Sequence, residues 1–284
     1  VYGAILVLTI MFLPDGLAPE EAAKVANLPG VDPERCLPIA VEQPRLLEDL
    51  THSAERASVT RQDNVVIVGL DPARALGGPR PLFQFEWVAG SPESAVAAMQ
   101  KGHACIVPDH FLRETGLKAG DAFTLVPPDN PGHPVAYTIA GAVRLPGWHW
   151  QTKQTGFRTR THRAAALVFA DYPSVAADFG LTAVKHVWLS YASSAADPQE
   201  IAAGAQALYR AATGRDVTIG RNPDDAPSVQ IMPVETIRQM TRAEARRWLW
   251  VIGQIPLVAL GISCIGVLNV LLASVRARRW DFGV

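Results

Sequence analysis

One stretch of the sequence concentrates aromatic and cationic side chains that could hold a ligand. Its members are Trp148, Trp150, Lys153, Arg158, Arg160, His162 and Arg163. Aromatic faces attract cations and arginine pairs with carboxylates or phosphates, so a loop of this composition can grip an anionic or amphipathic ligand or partner. The alternative is a solvated basic hairpin with one or two tryptophans packed inward. His149 and His162 lack the spacing of metal ligands, so no metal site is expected.

No catalytic constellation accompanies this stretch. The sequence has neither the GxxxxGK[ST] loop that cradles nucleotide phosphates nor the GxSxG turn of many hydrolases. Asp109-His110 is a lone pair, typical of a solvated surface. We therefore predict that the chain is not an enzyme and binds no cofactor itself. The formal net charge of -1 gives no basic bias toward nucleic acid.

The three cysteines do not indicate a zinc site, because none has CxxC or CxxxH spacing. We expect Cys36 and Cys105 to be free buried thiols. A disulfide between them is the alternative if their domain lies outside the cytoplasm. Cys264 falls in an apolar run near the end of the chain.

That apolar run is the most informative element of the sequence. From Trp248 to Val275, about 28 residues, no side chain is charged. About 20 such residues cross a hydrocarbon core of about 30 Å. Trp248 and Trp250 stand at one end and Trp280 at the other, as interfacial tryptophans do. We predict a transmembrane helix; the alternative is the central helix of a large soluble domain.

Within the apolar run, polar and small residues indicate contacts with protein. Gln254 and Asn269 are costly against lipid and are expected to face protein. Small residues recur at helical spacing and predict a helix-packing stripe, with Asn269 beside it: Ala259, Ser263 and Gly266. Ordinary glycine and alanine content is the alternative explanation of the stripe.

Charge does not settle the orientation of this helix. Arg276, Arg278 and Arg279 follow the apolar run, which suits a cytoplasmic side, but Arg242, Arg246 and Arg247 precede it. No glycine or proline interrupts the pattern from Val234 to Gly253, so one continuous helix is expected. From Val234 to Val275 it would be about 60 Å long and stiff.

The remaining sequence alternates strand and helix patterns. The first 13 or so residues are apolar and β-branched and are followed by Pro-Asp-Gly, which favours a buried strand and a turn. The tail of a truncated membrane helix is the alternative. Further strands are predicted at 65–70, 104–107, 123–126, 135–143, 165–169 and 186–191, with edge strands at 217–220 and 229–232. Helices are predicted from Ala18 to about Leu28, at 109–115 and at 198–212.

Three segments together resemble a known family. In Ser263 to Val284, a helix with a GIxN-like core runs into a basic stretch, then an acidic residue and a small apolar pair: Gly266, Asn269, Arg276, Arg278, Arg279, Asp281, Phe282 and Gly283. This pattern resembles the signature of FtsX-like and MacB-type ABC transporter permeases. GLAPEEAAKVANLPGV (Gly16 to Val31) is similar to the first helix of that family's periplasmic core, and GLKAGD (Gly116 to Asp121) to a recurrent turn in it. The family has further spans, so we expect the sequence to be a fragment of a longer protein.

The resemblance implies a fold and a location. It implies an α+β chain, a mixed-sheet periplasmic core with an inserted second lobe, followed by one long transmembrane helix. The domains would be 1–235 outside the cytoplasm with the lobe at about 65–191, a stalk and transmembrane helix at 236–275, and the start of a cytoplasmic coupling segment at 276–284. The location would be the bacterial inner membrane, with the large domain in the periplasm or outside the cell.

The resemblance also implies a function. Such permeases form dimers, and an ATP-binding cassette subunit binds ATP and couples its hydrolysis to periplasmic movement for export or extraction of a substrate. Membrane lipid and a periplasmic protein are further expected partners; nucleic acid is not. The contact with the ATPase would begin at Arg276, Arg278, Arg279, Trp280, Asp281 and Phe282. The alternative is a single-pass scaffold whose periplasmic domain recruits an envelope protein without transport.

Overall fold

The computed structural model describes residues 9–47, 64–158, 164–193, 196–220 and 228–281. They belong to two compact units, Val1–Ile237, called the domain below, and Arg238–Val284. The described strands are β1 (Thr9–Leu17), β2 (Val31–Glu42), β3 (Arg45–Leu46), β4 (Asn64–Leu70), β5 (Glu86–Ala89), β6 (Ala104–Pro108), β7 (Ala122–Val126), β8 (Val135–Arg144), β9 (Ala164–Asp171), β10 (Val184–Tyr191), β11 (Thr218–Ile219) and β12 (Ser228–Met232).

The described helices are mostly short, with one long exception. They are α1 (Pro19–Ala23), continued by a 3-10 turn (Lys24–Asn27), α2 (Pro72–Leu76), α3 (Pro92–Met99), α4 (Asp109–Thr115), α5 (Trp148–Gln154), α6 (Tyr172–Asp178), α7 (Pro198–Thr213) and α8 (Val234–Asp281). The architecture is therefore α+β with a mixed sheet and a long helix at its end, which confirms the predicted fold class.

Strands at the two ends of the domain sequence form its first sheet, in the order β11-β12-β1-β10-β2. The pairs among β12, β1, β10 and β2 are antiparallel, and β11 adds in parallel at the edge. α7 covers one face of this sheet with Ile201, Ala205 and Tyr209, which are at most 1% exposed. The first sheet thus pairs Ile10 of β1 with Met232 of β12, more than 200 residues apart in sequence.

The middle of the domain forms a closed ring of six strands. Its order is β4-β3-β7-β8-β6-β9, and β9 pairs in parallel with β4 to close it. β5 adds to β8 outside the ring order. Alternate residues of β4 pack into two different hydrophobic clusters. Val65 and Ile67 belong to a cluster to which all six ring strands contribute side chains, and Val66 and Val68 belong to a second cluster. Burial on both faces explains why β4 is apolar without alternation.

β2 connects the first sheet to the ring. Its residues Cys36 to Ile39 pair with β10, and Ala40 to Glu42 pair with β4. β3 follows after two residues and pairs with β4 and β7. After the ring, the chain returns to the first sheet as β10 (Val184–Tyr191), which lies between β1 and β2.

Close packing fixes individual residues at the junction between strands and helices. A Cβ placed on Gly69 of β4 would lie 2.7 Å from the Cβ of Val175 on α6, well inside contact distance. Asp71 and Asp171 end the parallel neighbours β4 and β9. Each accepts backbone N–H bonds as the N-cap of the helix that follows, at 3.0 Å from Ala73 N and 2.9 Å from Ser174 N.

The structure corrects three local predictions. The Pro-Asp-Gly turn is instead a bulge inside β1, where Asp15 (φ 54°) and Gly16 (φ 79°) are left-handed and the pairing register shifts. β12 is not an edge strand, because it pairs with both β1 and β11. The loop predicted around Trp148 is the helix α5, which begins after Gly147 and ends before Gly156, with no proline between them.

Other predictions are confirmed. The 123–126 and 135–143 runs form the antiparallel hairpin β7–β8, and α8 is continuous from Val234 to Asp281. Cys36 and Cys105 are free and buried, so the disulfide alternative is wrong. The part of the apolar N-terminal run that the structure describes, 9–13, is strand. Residues 1–8 lie outside the described part.

Candidate functional site

The apolar run of α8, Trp248 to Val275, is the largest exposed apolar surface of the described chain. Its large side chains stand open, including Leu260 at 62%, Ile262 at 67% and Val270 at 69% exposure. α8 is the one helix among the described residues that is long and apolar enough to cross a membrane, and none of its apolar window is buried. A core helix of a soluble protein is mostly covered, whereas the residues that the structure describes do not cover this surface.

Polar side chains inside the apolar run bond to the helix's own backbone. Gln254 donates to the Trp250 carbonyl at 3.3 Å, Ser263 to the Ala259 carbonyl at 2.9 Å, and Ser274 to the Leu271 carbonyl at 2.8 Å. Such bonds are required in lipid, where water does not satisfy polar groups. Asn269, by contrast, makes no side-chain hydrogen bond to any residue that the structure describes.

The small-residue stripe lies open on one face of α8. Ala259, Ser263 and Gly266 are exposed, and a Cβ placed on Gly266 would meet nothing within 4 Å. The bond from Ser263 to Ala259 folds the hydroxyl back onto the helix and leaves the face smooth. A smooth face of this kind permits close approach of another helix.

The predicted ATPase contact is described only in part. α8 continues as helix through Asp281, and Arg276 is exposed. The side chains of Arg278, Arg279, Trp280 and Asp281, and all of Phe282, lie outside the described part. Their predicted role therefore stays a prediction.

The other end of the apolar run carries a second group of charges, which the sequence had shown only as an orientation count. Arg242, Arg246 and Arg247 are exposed. The carboxylate of Glu244 accepts a bond from Trp248 Nε1 at 3.2 Å. The signal that could have distinguished these side chains is their i, i+4 spacing, which places residues on one helix face.

Helix α5 holds the predicted aromatic and cationic segment. Trp148 is half-buried and packs against the domain core, and its ring stacks on His110 with centroids 5.3 Å apart and planes 7° apart. His110 Nε2 lies 3.0 Å from the Ala165 carbonyl oxygen, which fixes that ring. Trp148 therefore packs inward and has a structural role, as in the hairpin alternative.

The structure describes only some of the cationic side chains of this segment. Arg158 Nη1 lies 3.4 Å from His149 Nε2, and Lys153 is exposed. The side chain of Trp150 and all of Arg160 lie outside the described residues. The structure thus brings Trp148, His149 and Arg158 together.

A cleft of about 410 Å³ lies at the ends of β4 and β9. Asp71 and Asp171 line it together with four prolines, Tyr172 and Arg74. Both carboxylates cap helices, and Arg74 donates to the Pro33 carbonyl at 2.6 Å. Among the described residues, no group of three or more His, Cys, Asp or Glu side chains could hold a metal.

One polar cluster was not predicted. Tyr137 donates to Asp178 at 2.7 Å, and His103 Nε2 lies 3.2 Å from the same carboxylate. Burial, reinforced by Asp178, raises the pKa of the Tyr137 hydroxyl above its ordinary value, so it stays a donor. The three residues are far apart in sequence, and only the register of β8 beside β6 and α6 brings them together.

Comparisons with known proteins concern the fold. No protein-family model matches the sequence, and neither does any curated protein. The chain is similar to the extracellular domain of the noncanonical ABC-type transporter YknZ from Gram-positive bacteria, at 10% identity and a TM-score of 0.47, over 79% of this chain and 98% of that one. It is also similar to the periplasmic region of MacB from Actinobacillus actinomycetemcomitans, at 10% identity and a TM-score of 0.47, over 83% and 92%.

Proposed function

We propose that this chain is a permease subunit of a bacterial ABC transporter. The domain Val1–Ile237 lies outside the cytoplasm, α8 crosses the inner membrane, and its arginine-rich end begins the contact with an ATP-binding cassette subunit. ATP is bound and hydrolysed by that partner. The chain itself performs no chemistry and converts the partner's closure into movement outside the cell, for export or extraction of a substrate.

One observation carries the membrane part of this proposal: the apolar run of α8 is wholly exposed. At about 25 cal/mol per Å² of apolar surface, leaving the seventeen large apolar side chains of this run in water would cost on the order of tens of kcal/mol. Lipid removes that cost. The internal bonds of Gln254 and Ser263 fit the same surrounding.

The coupling part of the proposal is supported by the continuity of α8 and by the family resemblance of its end. No break separates Val234 from Asp281. A continuous helix transmits a displacement along its axis better than two helices joined by a hinge. A second protomer is proposed for the open stripe of Ala259, Ser263 and Gly266, because a bilayer favours close packing of small residues.

Sidedness is the first test. Single cysteines at Lys118→Cys and Arg278→Cys, in a Cys264→Ser background, are treated with a membrane-impermeant maleimide in intact spheroplasts. Lys118 is exposed on the domain, so its cysteine should label at once, whereas Arg278→Cys should label only after permeabilisation. Equal labelling of both in intact spheroplasts would show that α8 does not cross the membrane.

Coupling is tested separately by copurification with an ATP-binding cassette subunit from native membranes. Arg278→Ala/Arg279→Ala should lose the ATPase while hydrogen exchange in the domain stays unchanged. The matched control is Arg246→Ala/Arg247→Ala, which removes the same charge at the opposite end of the apolar run and should retain the ATPase. If the two double variants behave alike, the coupling role is wrong, although the chain could still be the membrane scaffold.

The aromatic and cationic segment at α5 is proposed as a contact for a ligand or periplasmic partner. Lys153→Ala/Arg158→Ala/Arg160→Ala should reduce transport in cells without changing ATPase copurification. Normal transport by this variant would remove the segment from the proposed mechanism.

A further inference from the structure

Three arginines stand directly before the apolar run of α8. Arg242, Arg246 and Arg247 are exposed and make no side-chain bond to any residue that the structure describes. Between residues 238 and 276, Glu244 is the only acidic residue, and one of its oxygens accepts the Trp248 indole N–H at 3.2 Å. No carboxylate that the structure describes is bonded to these three arginines.

The charges are sorted around the circumference of the helix. Arg242, Arg246 and Trp250 follow one another at i, i+4 and i+8, so they share a face on which neighbours are about 5–6 Å apart at Cβ. We call these three residues the arginine face. Glu244 and Trp248 form their own i, i+4 pair on a different face. An anion approaching the arginine face thus meets two guanidinium groups without a carboxylate between them.

The depth of the arginine face matches lipid headgroups. At about 1.5 Å per residue, Arg246 lies about 3 Å and Arg242 about 9 Å before the first residue of the apolar run. The headgroup layer adds roughly 5–8 Å to each side of the hydrocarbon core, so Arg246 lies within that layer and Arg242 lies at its outer limit. Trp250 lies about 3 Å inside the first residue of the run, near the depth where an indole sits between headgroups and acyl chains.

We infer that the arginine face binds the phosphate of an anionic phospholipid in the leaflet at the N-terminal end of the apolar run. This inference rests on the proposed function, because it needs α8 to span the membrane. Two guanidinium forks match the planar, bidentate geometry that phosphate accepts, and Trp250 adds apolar contact with the glycerol and upper acyl region. A free phosphate ion offers nothing for Trp250 to contact, so a lipid fits this face better.

The test measures lipid retention by the full chain. Purified protein is reconstituted in nanodiscs of phosphatidylcholine with phosphatidylglycerol, and native mass spectrometry counts the lipids that stay bound. The wild type should retain phosphatidylglycerol preferentially. Arg242→Gln/Arg246→Gln should lower that preference about 10- to 30-fold, since each arginine near an anionic surface contributes a factor of several. Arg80→Gln/Arg113→Gln removes the same charge from the domain surface and should leave the preference intact.

Each outcome is decisive. Equal preference in the wild type and in Arg242→Gln/Arg246→Gln overturns the inference, as does loss of the bound lipid on addition of inorganic phosphate alone. The labelling of Lys118→Cys and Arg278→Cys distinguishes a failure of this inference from a failure of the proposed function. If labelling shows that α8 spans the membrane and the lipid preference is absent, only this inference fails. If α8 does not span, the proposed function fails with it.

Discussion

Leucines occur in both units of the chain, but they are mostly buried in the domain and exposed on α8. Leu70 on β4 is 1% exposed and packs in the domain core, whereas Leu260 on α8 is 62% exposed. The domain satisfies its apolar residues internally, through three buried clusters. The apolar side chains of α8 are not covered by any residue that the structure describes. The difference shows that apolar content alone does not define a core, because the apolar surrounding can be protein or lipid.

The largest effect should come from cutting the same side chain in the two units. Leu70→Ala leaves a cavity in a packed core and should lower the free energy of unfolding of the domain by about 2–5 kcal/mol. Leu260→Ala, the matched control, should change it by less than about 0.5 kcal/mol. Hydrogen exchange of the β4 amides in detergent measures both. Similar losses would mean that α8 is part of the domain's folding unit.

A smaller effect is expected from acid. His186 is 7% exposed, and burial, with a lesser contribution from Lys185, lowers its pKa from 6.5 to about 4. The unfolded chain therefore takes up the proton first as the pH falls. Stability present above pH 6.5 should decline by roughly 3 kcal/mol toward pH 4.

This decline can be assigned by substitution. His186→Asn should flatten the dependence between pH 6.5 and 4 in unfolding curves of the domain, and exposed His133→Asn should not change it. A steep decline that persists in His186→Asn would place the titrating group elsewhere.

Glycines give a third contrast between the units. Gly69→Ala puts a Cβ 2.7 Å from the Val175 Cβ and should cost about 1–3 kcal/mol through overpacking. Gly261→Ala has nothing within 4 Å and should leave the domain unchanged. Thermal unfolding in detergent compares them, and a harmless Gly69→Ala would show that α6 shifts freely against β4.

The mildest test uses thiol chemistry and leaves stability untouched. Burial raises the pKa of the Cys36 thiol to about 12, and burial also raises that of Cys105, so neither should react with maleimide while the domain is folded. Cys264 is exposed on α8 and should react with membrane-permeant reagents only. Modification of Cys264 by an impermeant reagent in intact membranes would contradict a lipid surrounding.

Elements with a local cause could be predicted from the sequence. β4 is a short apolar run, the β7–β8 hairpin is two apolar runs around a proline-rich tip, and α8 has a long pattern without interruption. β2 was not predicted, because Pro33, Pro38 and several charged residues obscure it. The structure places Pro38 opposite Val187 of β10, before the pairing with β4 begins at Ala40.

The sites divide in the same way. The exposed apolar run follows from composition alone. The stack of Trp148 on His110 and the Tyr137–Asp178–His103 cluster depend on segments that meet only after the ring closes. The helix α5 also escaped prediction, because its charges and tryptophans suggested a loop, although the glycines on either side marked its ends.

β2 runs from the first sheet into the ring, and this continuity has a mechanical consequence. One continuous strand, β2, is hydrogen-bonded first to β10 and then to β4. The first sheet and the ring are therefore joined by backbone hydrogen bonds as well as by side-chain contacts. Tension applied to β12, the strand that leads into α8, would run through successive ladders into the ring. Separating the first sheet from the ring would require breaking those backbone hydrogen bonds. A load should therefore tilt the domain as one body before the sheet and the ring separate.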